Sequence, residues 1–583
     1  MPRGDSLYCD VGVQAVSDSG GWLLVLLRPY NPEGVSFIHR VDLLSDRGGW
    51  RVDGKQRIEF SEAADRHHVS NFKSGDVMIH LQDLEDQETG ICDVGMLSAV
   101  AMFKLQPAVT RNIEIALPLG DGSNTWRRAK PGETLSSSWP DALAGSCTLS
   151  LADTRIQSLF DAALRTLILL SPQDIYPGPY TYKRFWFRDA AYMIHALLCT
   201  GLTGRAERAL DQFPHRQSGD GYFHSQEGEW DANGQVLWIM RRFCQLTGLQ
   251  AKPAWQEAIK RGARWIGRKR RINSNPEPLQ GLLPAGFSAE HLGPIDYYYW
   301  DNFWCIAGLH AADHLCADIG REDLAEEFRV EAANFFQQVN VTLSRARARL
   351  KRDAMPAAPT RRMDAGAIGS LVAGYPLQLY GTEDPRLLDS VEFLMSNCFV
   401  EGGFFQDMIH SGINPYLTLH VAQVLLRAGD PRYLQLLQTV AELAPATGQW
   451  PEAIHPGTGG GCMGDGQHGW AAAEWVLMIR ECFIREIDEG LIVGSGIAPS
   501  WFPAEGAVRF GPAPTPWGII SLEFELVAKG TARHKNPRAK HSSGAESLLR
   551  VSLPPKWFPA ASQIGVGLPG WGRKGVGEGR EVR

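Results

Sequence analysis

Acidic residues recur in a few aromatic- and glycine-rich segments, in a pattern suited to chemistry on hydroxyl groups. RFWFRDAA sets Arg188 and Asp189 side by side behind Trp186. A carboxylate accepting two hydrogen bonds beside a guanidinium donating several can grip adjacent hydroxyls of one ring. GDGYFHSQEGEWDANGQ supplies Asp220, Glu229, Asp231 and Asn233 as further binding candidates. SAEHLGPIDYYYWDNFW supplies Glu290, Asp296 and Asp301 among Tyr297, Tyr298, Tyr299, Trp300 and Trp304. Asp296 follows Pro294 and Ile295 and precedes three tyrosines, where apolar packing raises a carboxyl pKa toward the value a general acid needs. GQWPEAIHPGTGGGCMGDGQHGW holds Glu452, Asp465 and His468. Glycines let backbone approach a ligand closely, and a polar, N–H-rich surrounding keeps Glu452 ionised, as suits a general base.

Each of these residues also has a plainer explanation. Asp189 and Asp301 stand where helices need an N-cap, and capping is the favoured account of Asp301. Acids in a first helical turn are ordinary partners of the helix dipole. The Gly-rich run before His468 could cradle a phosphate, but it has no Lys and no GK[ST] ending, which excludes a nucleotide loop.

The elements that must position these residues are helical. From Thr154 to Phe483, apolar segments at helical spacing open near Thr154, Arg188, Gly204, Trp230, Pro253, Trp300, Glu322, Asp364, Pro385, Asn414, Pro431 and Gln467. These twelve segments predict six antiparallel hairpins. Short turns such as GLTGR, DIGRED and RAGDPR follow the even-numbered helices, whereas the acid-bearing loops lead into them. An inner ring of even-numbered helices would therefore gather every rich loop at one mouth, a cleft of carbohydrate size.

Strand-like alternation fills residues 1–120 and predicts an antiparallel β-sandwich, followed by a turn-rich linker over 121–153. The helical domain is expected over 154–485, a small β-structure over 486–528, and a basic, Gly-rich disordered tail over 529–583. A net charge of −7 with interspersed signs gives no footprint for nucleic acid or an anionic membrane surface. Ten scattered cysteines without a Cys-x-x-Cys pair, and no signal-peptide pattern, lead to the expectation of a cytoplasmic protein. Eighteen tryptophans are a hint of sugar stacking. The loops offer carboxylates without a His and Cys cluster at ligand spacing, so neither metal nor cofactor is expected.

Six predicted hairpins, RFWFRD on the first inner helix, an acid-bearing loop ending in Trp300-Asp301 and the late Glu452 loop together resemble the (α/α)6 glycoside hydrolases: glucoamylases, trehalases, processing α-glucosidases and glycogen-debranching α-1,6-glucosidases. The resemblance implies that Arg188 and Asp189 bind the sugar being cleaved and that Glu452 is the general base. Trp186, Glu229, Asp231, Glu290, Tyr298, Trp300, Asp301 and His468 are the further substrate-binding candidates. Trehalase-like enzymes place the acid at an Asp shortly before a Trp, which matches Asp296, although the Ser-Gly after the motif's Glu is missing here. Glucoamylases carry a Trp-Glu acid, which would map onto Trp300-Asp301. Asp296 is the expected acid, with Asp301 and Glu290 as alternatives. The implied reaction is exo-acting, inverting hydrolysis of a glucan or oligosaccharide. A phosphorylase on the same scaffold and a catalytically silent sugar-binding protein are the competing readings.

Overall fold

Period-two alternation builds the first unit: in Gln56–Phe60, Ile58 and Phe60 are buried while their neighbours face outward. The computed structural model describes all residues except 1, 4–5, 32–33, 36, 83–85, 119–138, 273–276, 278, 289–293, 408–410, 489, 529–546, 553–562, 567–573 and 576–583. Two units divide the chain, Met1–Ala142 and Leu143–Arg583. The first holds a seven-stranded antiparallel sheet in the order Pro2–Arg3, Ser6–Gln14, Thr110–Pro118, Gln56–Phe60, Gly49–Val52, Arg40–Leu43 and Thr89–Ile91. A three-stranded antiparallel sheet joins Gly21–Leu27, Ser98–Leu105 and Arg66–Ser70. One core cluster takes Val41, Trp50, Ile58 and Phe60 from the first sheet and Val69, Ala99, Ala101 and Phe103 from the second, the interdigitation expected of stacked sheets. A single helical turn, α1 (Trp139–Ala142), ends this unit.

The second unit is mainly helical: α2 (Thr154–Leu169), α3 (Phe187–Cys199), α4 (Thr203–Asp211), α5 (Ala232–Thr247), α6 (Pro253–Ile272), α7 (Tyr299–Asp318), α8 (Glu322–Leu350), a 3-10 helix (Ala365–Ala373), α9 (Pro385–Asn397), α10 (Pro415–Ala428), α11 (Arg432–Leu443) and α12 (Gly469–Phe483). The eighth element is a 3-10 helix, where the sequence predicts an α-helix. Its AGAIGSLVAG sequence is rich in glycine and followed by Pro376, which weakens the longer-range helical bonds. Burial sorts the elements. Every residue of α3, of α12 and of the 3-10 helix is buried, as for helices surrounded by protein. By contrast α2, α4 and α11 bury one face only. Helix α3 packs on α5, α5 on α7, α7 on the 3-10 helix, that element on α10, α10 on α12, and α12 on α3 again.

Side chains fix the ends of these elements: Asp153, Asp384 and Asn414 accept first-turn N–H groups of α2, α9 and α10, and Gly248 and Gly429 close α5 and α10 in the left-handed conformation. A small antiparallel sheet, which the sequence reading did not anticipate, ties the loops before α10 and α12 together through Phe399–Val400, Gly403–Gln406, Gly412–Ile413, Ala453–Ile454 and Gly461–Met463. Within the expected linker, Thr148–Ser150 pairs with Ala507–Thr515. The expectation of a structureless tail after 529 is corrected in three places. Ser547–Ser552 adds to Gly518–Ala528, Gln563–Val566 adds in parallel to Gly490–Val493, and Lys574–Gly575 extends that second pairing. SLLRVS and QIGV retain enough β-forming residues to extend existing edges. Among the described residues, no helix is long and apolar enough to cross a membrane.

Candidate active site

Loops at the N-terminal ends of α3, α5, α7 and α12 meet around one guanidinium. Arg188, in the first turn of α3, directs Nη1 to Glu229 Oε1 at 3.3 Å and to Asp231 Oδ2 at 3.7 Å. Asp231 also accepts Nε1 of Trp300 at 2.7 Å and Nε2 of Gln235 at 2.8 Å, which ties the start of α5 to the start of α7. Asp301 lies one residue further along α7, buried, with no hydrogen bond to Oδ1 among the described residues. The capping explanation fails for both helix-start acids. The N-cap positions belong to Trp186 and Tyr298, and Asp189 and Asp301 sit inside the first turns. Caps elsewhere in this unit satisfy backbone donors, whereas both of these carboxyls lie within reach of the charges of Arg188 and Asp231.

Electrostatics follow from that crowding. Burial pushes the Asp189 carboxyl up to about 7, with Arg188 opposing and Glu452 and Asp231 reinforcing the shift. Burial also raises Glu229, against the pull of Arg188. For Asp301, burial and the charges of Asp231 and Glu229 together hold the proton well above the ordinary carboxyl range. One cation cannot hold five neighbouring carboxyls ionised in a place that excludes water.

Glu452 joins from the loop before α12, just before Ala453–Ile454 of the small sheet, and feels the charge of Arg188. Tyr182 donates its hydroxyl to Oε2 and Tyr416 approaches Oε1 at 3.5 Å. Burial raises this carboxyl too, tempered by the Tyr182 hydrogen bond, Arg188 and Tyr416. The surrounding is one of hydroxyls and rings, not the N–H-rich loop the sequence suggested.

The N–H-rich role belongs to Asp465, which accepts the backbone N–H groups of Tyr180, Thr181 and Tyr182 at 3.0, 2.7 and 3.1 Å. A methyl group on Gly178 would come within 1.9 Å of Asp465 Oδ2, so glycine is required for that clasp. Gly464, at φ +65°, lies so close that an added Cβ would sit 2.4 Å from the Tyr182 ring. The glycines of this loop thus serve the Tyr182–Glu452 contact. His468 caps α12 by accepting from Ala471 N–H at 3.4 Å, and its Nε2 lies 3.9 Å from Asp189. Its ring stacks on Tyr416, which stacks on Trp470, which in turn stacks on Tyr192.

The other sequence candidates are engaged in contacts of their own. Asp296 is half-buried beside Ile295, which is 72% exposed. Its backbone pairs with Gly286, and its Oδ1 accepts the N–H of Tyr297 at 2.8 Å. Tyr298 packs on Ala357 and Ala358 and Tyr299 donates to Thr342, while the charge of Asp296 reaches both hydroxyls. Tyr298 donates to the Pro294 carbonyl at 2.7 Å and takes a hydrogen bond from Arg361 at 3.1 Å. Glu290 lies outside the described residues. Asn233 is spent internally, accepting from Phe223 N–H and donating to the carbonyls of Gly221 and Gly262. Asp220 accepts from Ser218, Tyr222 N–H and Trp265 and stabilises its own turn. Trp186 is partly exposed, edge-on to Tyr182 with Arg184 across its face. The sequence reading missed the roles of Tyr182 and Tyr416. Tyr182 was visible inside YTYKRFWFRD, six residues before Arg188.

No family profile matches this sequence, and no curated protein sequence matches it. Among solved structures the chain is similar to a bacterial glucoamylase complexed with acarbose, at a TM-score of 0.51 and 13% identity, over 79% of this chain and 76% of that one. It is similar also to a GH78 family rhamnosidase of Bacillus sp. GL1, at a TM-score of 0.52 and 15% identity, over 98% of this chain and 55% of that one. The chain therefore spans about half the length of that rhamnosidase. At these identities the likeness is one of fold, and the fold is the (α/α)6-barrel glycoside hydrolase fold that the sequence resembles.

Proposed function

We propose that this protein is an inverting glycoside hydrolase that removes a terminal sugar from an oligosaccharide or glucan. The observation that carries this reading is a pair of buried carboxyls that both feel Arg188: Glu452, clasped by tyrosine hydroxyls, and Asp301, kept protonated by burial and by the charges of Asp231 and Glu229. In this reading the six buried elements form the inner ring of a toroid over residues 154–485, and substrate enters at their N-terminal ends. Arg188 and Asp189 hold hydroxyls of the cleaved sugar while Trp186 and Trp300 wall it. Glu452 takes a proton from water, and the acid on the far face protonates the leaving oxygen. The acid role falls to Asp301 before Asp296, because its surroundings supply the high proton affinity the role requires. A phosphorylase has less support: His468 is engaged as a helix cap, and residues 451–468 contain no Lys or Arg.

Reducing-sugar release from a panel of oligosaccharides tests the activity, and two variants test the acid. Asp301→Asn should slow poor leaving groups by about 10²- to 10⁴-fold while sparing activated aryl glycosides. Asp296→Asn should leave both within a few-fold of the parent. The reverse pattern would return the acid role to Asp296.

A further inference from the structure

We propose that the opposite end of the same helices holds a second ligand site, which takes a small anionic sugar derivative of monosaccharide size. A cavity of about 640 Å³ opens there, lined by side chains near the C-terminal ends of α3, α5, α10 and α12. That volume lies in the range of small-molecule sites. Arg188 and His195 are seven residues apart on α3, which separates the two ends by about 10 Å along the axis.

Charge argues for an anion. Arg242 and Arg480 share Glu486, and Arg480 and Arg427 share Glu481, so two buried guanidiniums and one partly buried are matched by two carboxylates. At the rim, Arg241 is paired with Asp318, and Asp488 is exposed. Counting the lining alone, four arginines face Glu481, Glu486 and Asp488. With Arg241 assigned to Asp318 and Asp488 in solvent, the surplus positive charge is the one among Arg242, Arg427 and Arg480.

Unmet hydrogen-bonding capacity argues for a ligand. His195 is only 7% exposed, lines the cavity, and has no partner at either ring nitrogen among the described residues. Nε of Arg480 and Nε of Arg241 are likewise unpartnered there. Buried polar groups are rarely left so without a water or ligand to complete them. Burial and the nearby Arg242 and Arg480 keep His195 neutral, so it offers one donor and one acceptor, the pair a hydroxyl needs. Trp238 and Tyr375 add aromatic wall.

Titration calorimetry of the full-length protein with glucose 6-phosphate, and with glucose as the neutral control, tests the site. Saturable binding of the phosphorylated sugar at least tenfold tighter than glucose is expected. His195→Phe and Arg241→Gln should each weaken it tenfold or more, with melting temperatures near that of the parent, while Asp189→Asn at the other end leaves it unchanged. Equal affinity for glucose, no saturable binding at millimolar concentration, or binding lost in Asp189→Asn and kept in both other variants would each overturn the proposal.

Discussion

The two ends of the buried helices hold their charges in opposite ways. At the N-terminal end one guanidinium, Arg188, serves Asp189, Glu229, Asp231, Asp301 and Glu452, and four of those five carboxyls bind protons more tightly than usual. At the C-terminal end arginines outnumber acids. Against the upward push of burial, Arg242 and Arg480 hold Glu486 below the ordinary range. Helix dipoles favour this sorting, acids at N-termini and cations at C-termini. The difference teaches where reactivity is stored: a surplus of buried carboxyls leaves protons to be exchanged, whereas carboxylates held ionised by arginines have none to give.

The largest expected effect lies at the acid-rich end. Glu452→Gln keeps the shape of the clasp with Tyr182 but removes the base, so kcat should fall by about 10³-fold on every substrate, within the usual range for general base catalysis. Its melting temperature should stay close to the parent, because a buried carboxyl with a raised pKa is replaced by a neutral group. Activity within tenfold of the parent would mean that the crowded end is not the reactive one.

Glu486→Gln is the matching cut at the other end, and the result should invert. It leaves Arg242 without its carboxylate and Arg480 with Glu481 alone, at a cost of about 3–5 kcal/mol in stability, read as a lower midpoint in urea. Surviving folded protein should retain its kcat. If both substitutions cost stability alike, the proposed division between reactive and structural ends would be wrong.

A third contrast appears with pH. Groups whose folded pKa is raised favour the folded state at low pH, and that contribution is lost as pH rises through the folded value. For Asp189 the loss runs from the ordinary carboxyl range up to the folded value of about 7 and flattens above it. His67 and His195 are shifted down by burial and act in the opposite direction below their ordinary pKa, so the informative window is pH 6.5–8. Asp189→Asn should therefore gain stability relative to the parent as pH rises across that window, by about 1 kcal/mol or less, since the slope of at most about 1.36 kcal/mol per pH unit dies away above the folded value. Glu486, with its depressed pKa, is ionised throughout the window and adds no slope. Parallel melting curves for the parent and Asp189→Asn from pH 6.5 to 8 would show that Asp189 does not titrate there.

The helical framework was largely legible because periodicity, turn residues and caps are local signals. Openings read near Arg188, Pro253 and Glu322 fall within a residue of the observed starts at Phe187, Pro253 and Glu322. Glu452 and the Arg188–Asp189 pair could be singled out by loop context. The surroundings of each carboxyl could not, since they depend on which side chains arrive from distant segments. Asp296 stands beside three tyrosines in sequence, yet two of them pack toward Ala357, Ala358 and Thr342. Asp301 was explained as a cap because the sequence gives no sign that Asp231 and Glu229 from α5 and its loop surround it. The small sheet carrying Ala453–Ile454 escaped notice for the same reason: its strands are two to four residues long and pair across separate loops.

The smallest effect tests the acid-rich end most finely. Tyr182 donates to Glu452 Oε2, and its backbone N–H is held by Asp465 while Gly464 packs on its ring. Burial, followed by the charge of Glu452, raises the Tyr182 pKa, so it remains a hydroxyl donor at any working pH. Tyr182→Phe keeps the ring and the backbone clasp and removes one donor to an ionised carboxylate, a loss of about 1.5–3 kcal/mol of stabilisation for that charged form. Glu452, already raised by burial, should move up further, carrying the acidic limb of the kcat/KM profile to higher pH. At neutral pH activity should drop by about tenfold, and much of it should return near pH 8. Tyr416→Phe, which removes only the longer 3.5 Å approach, should shift the limb less. A fall in activity with an unmoved limb in Tyr182→Phe would make Tyr182 a wall of the site and leave the ionisation of Glu452 to Arg188 alone.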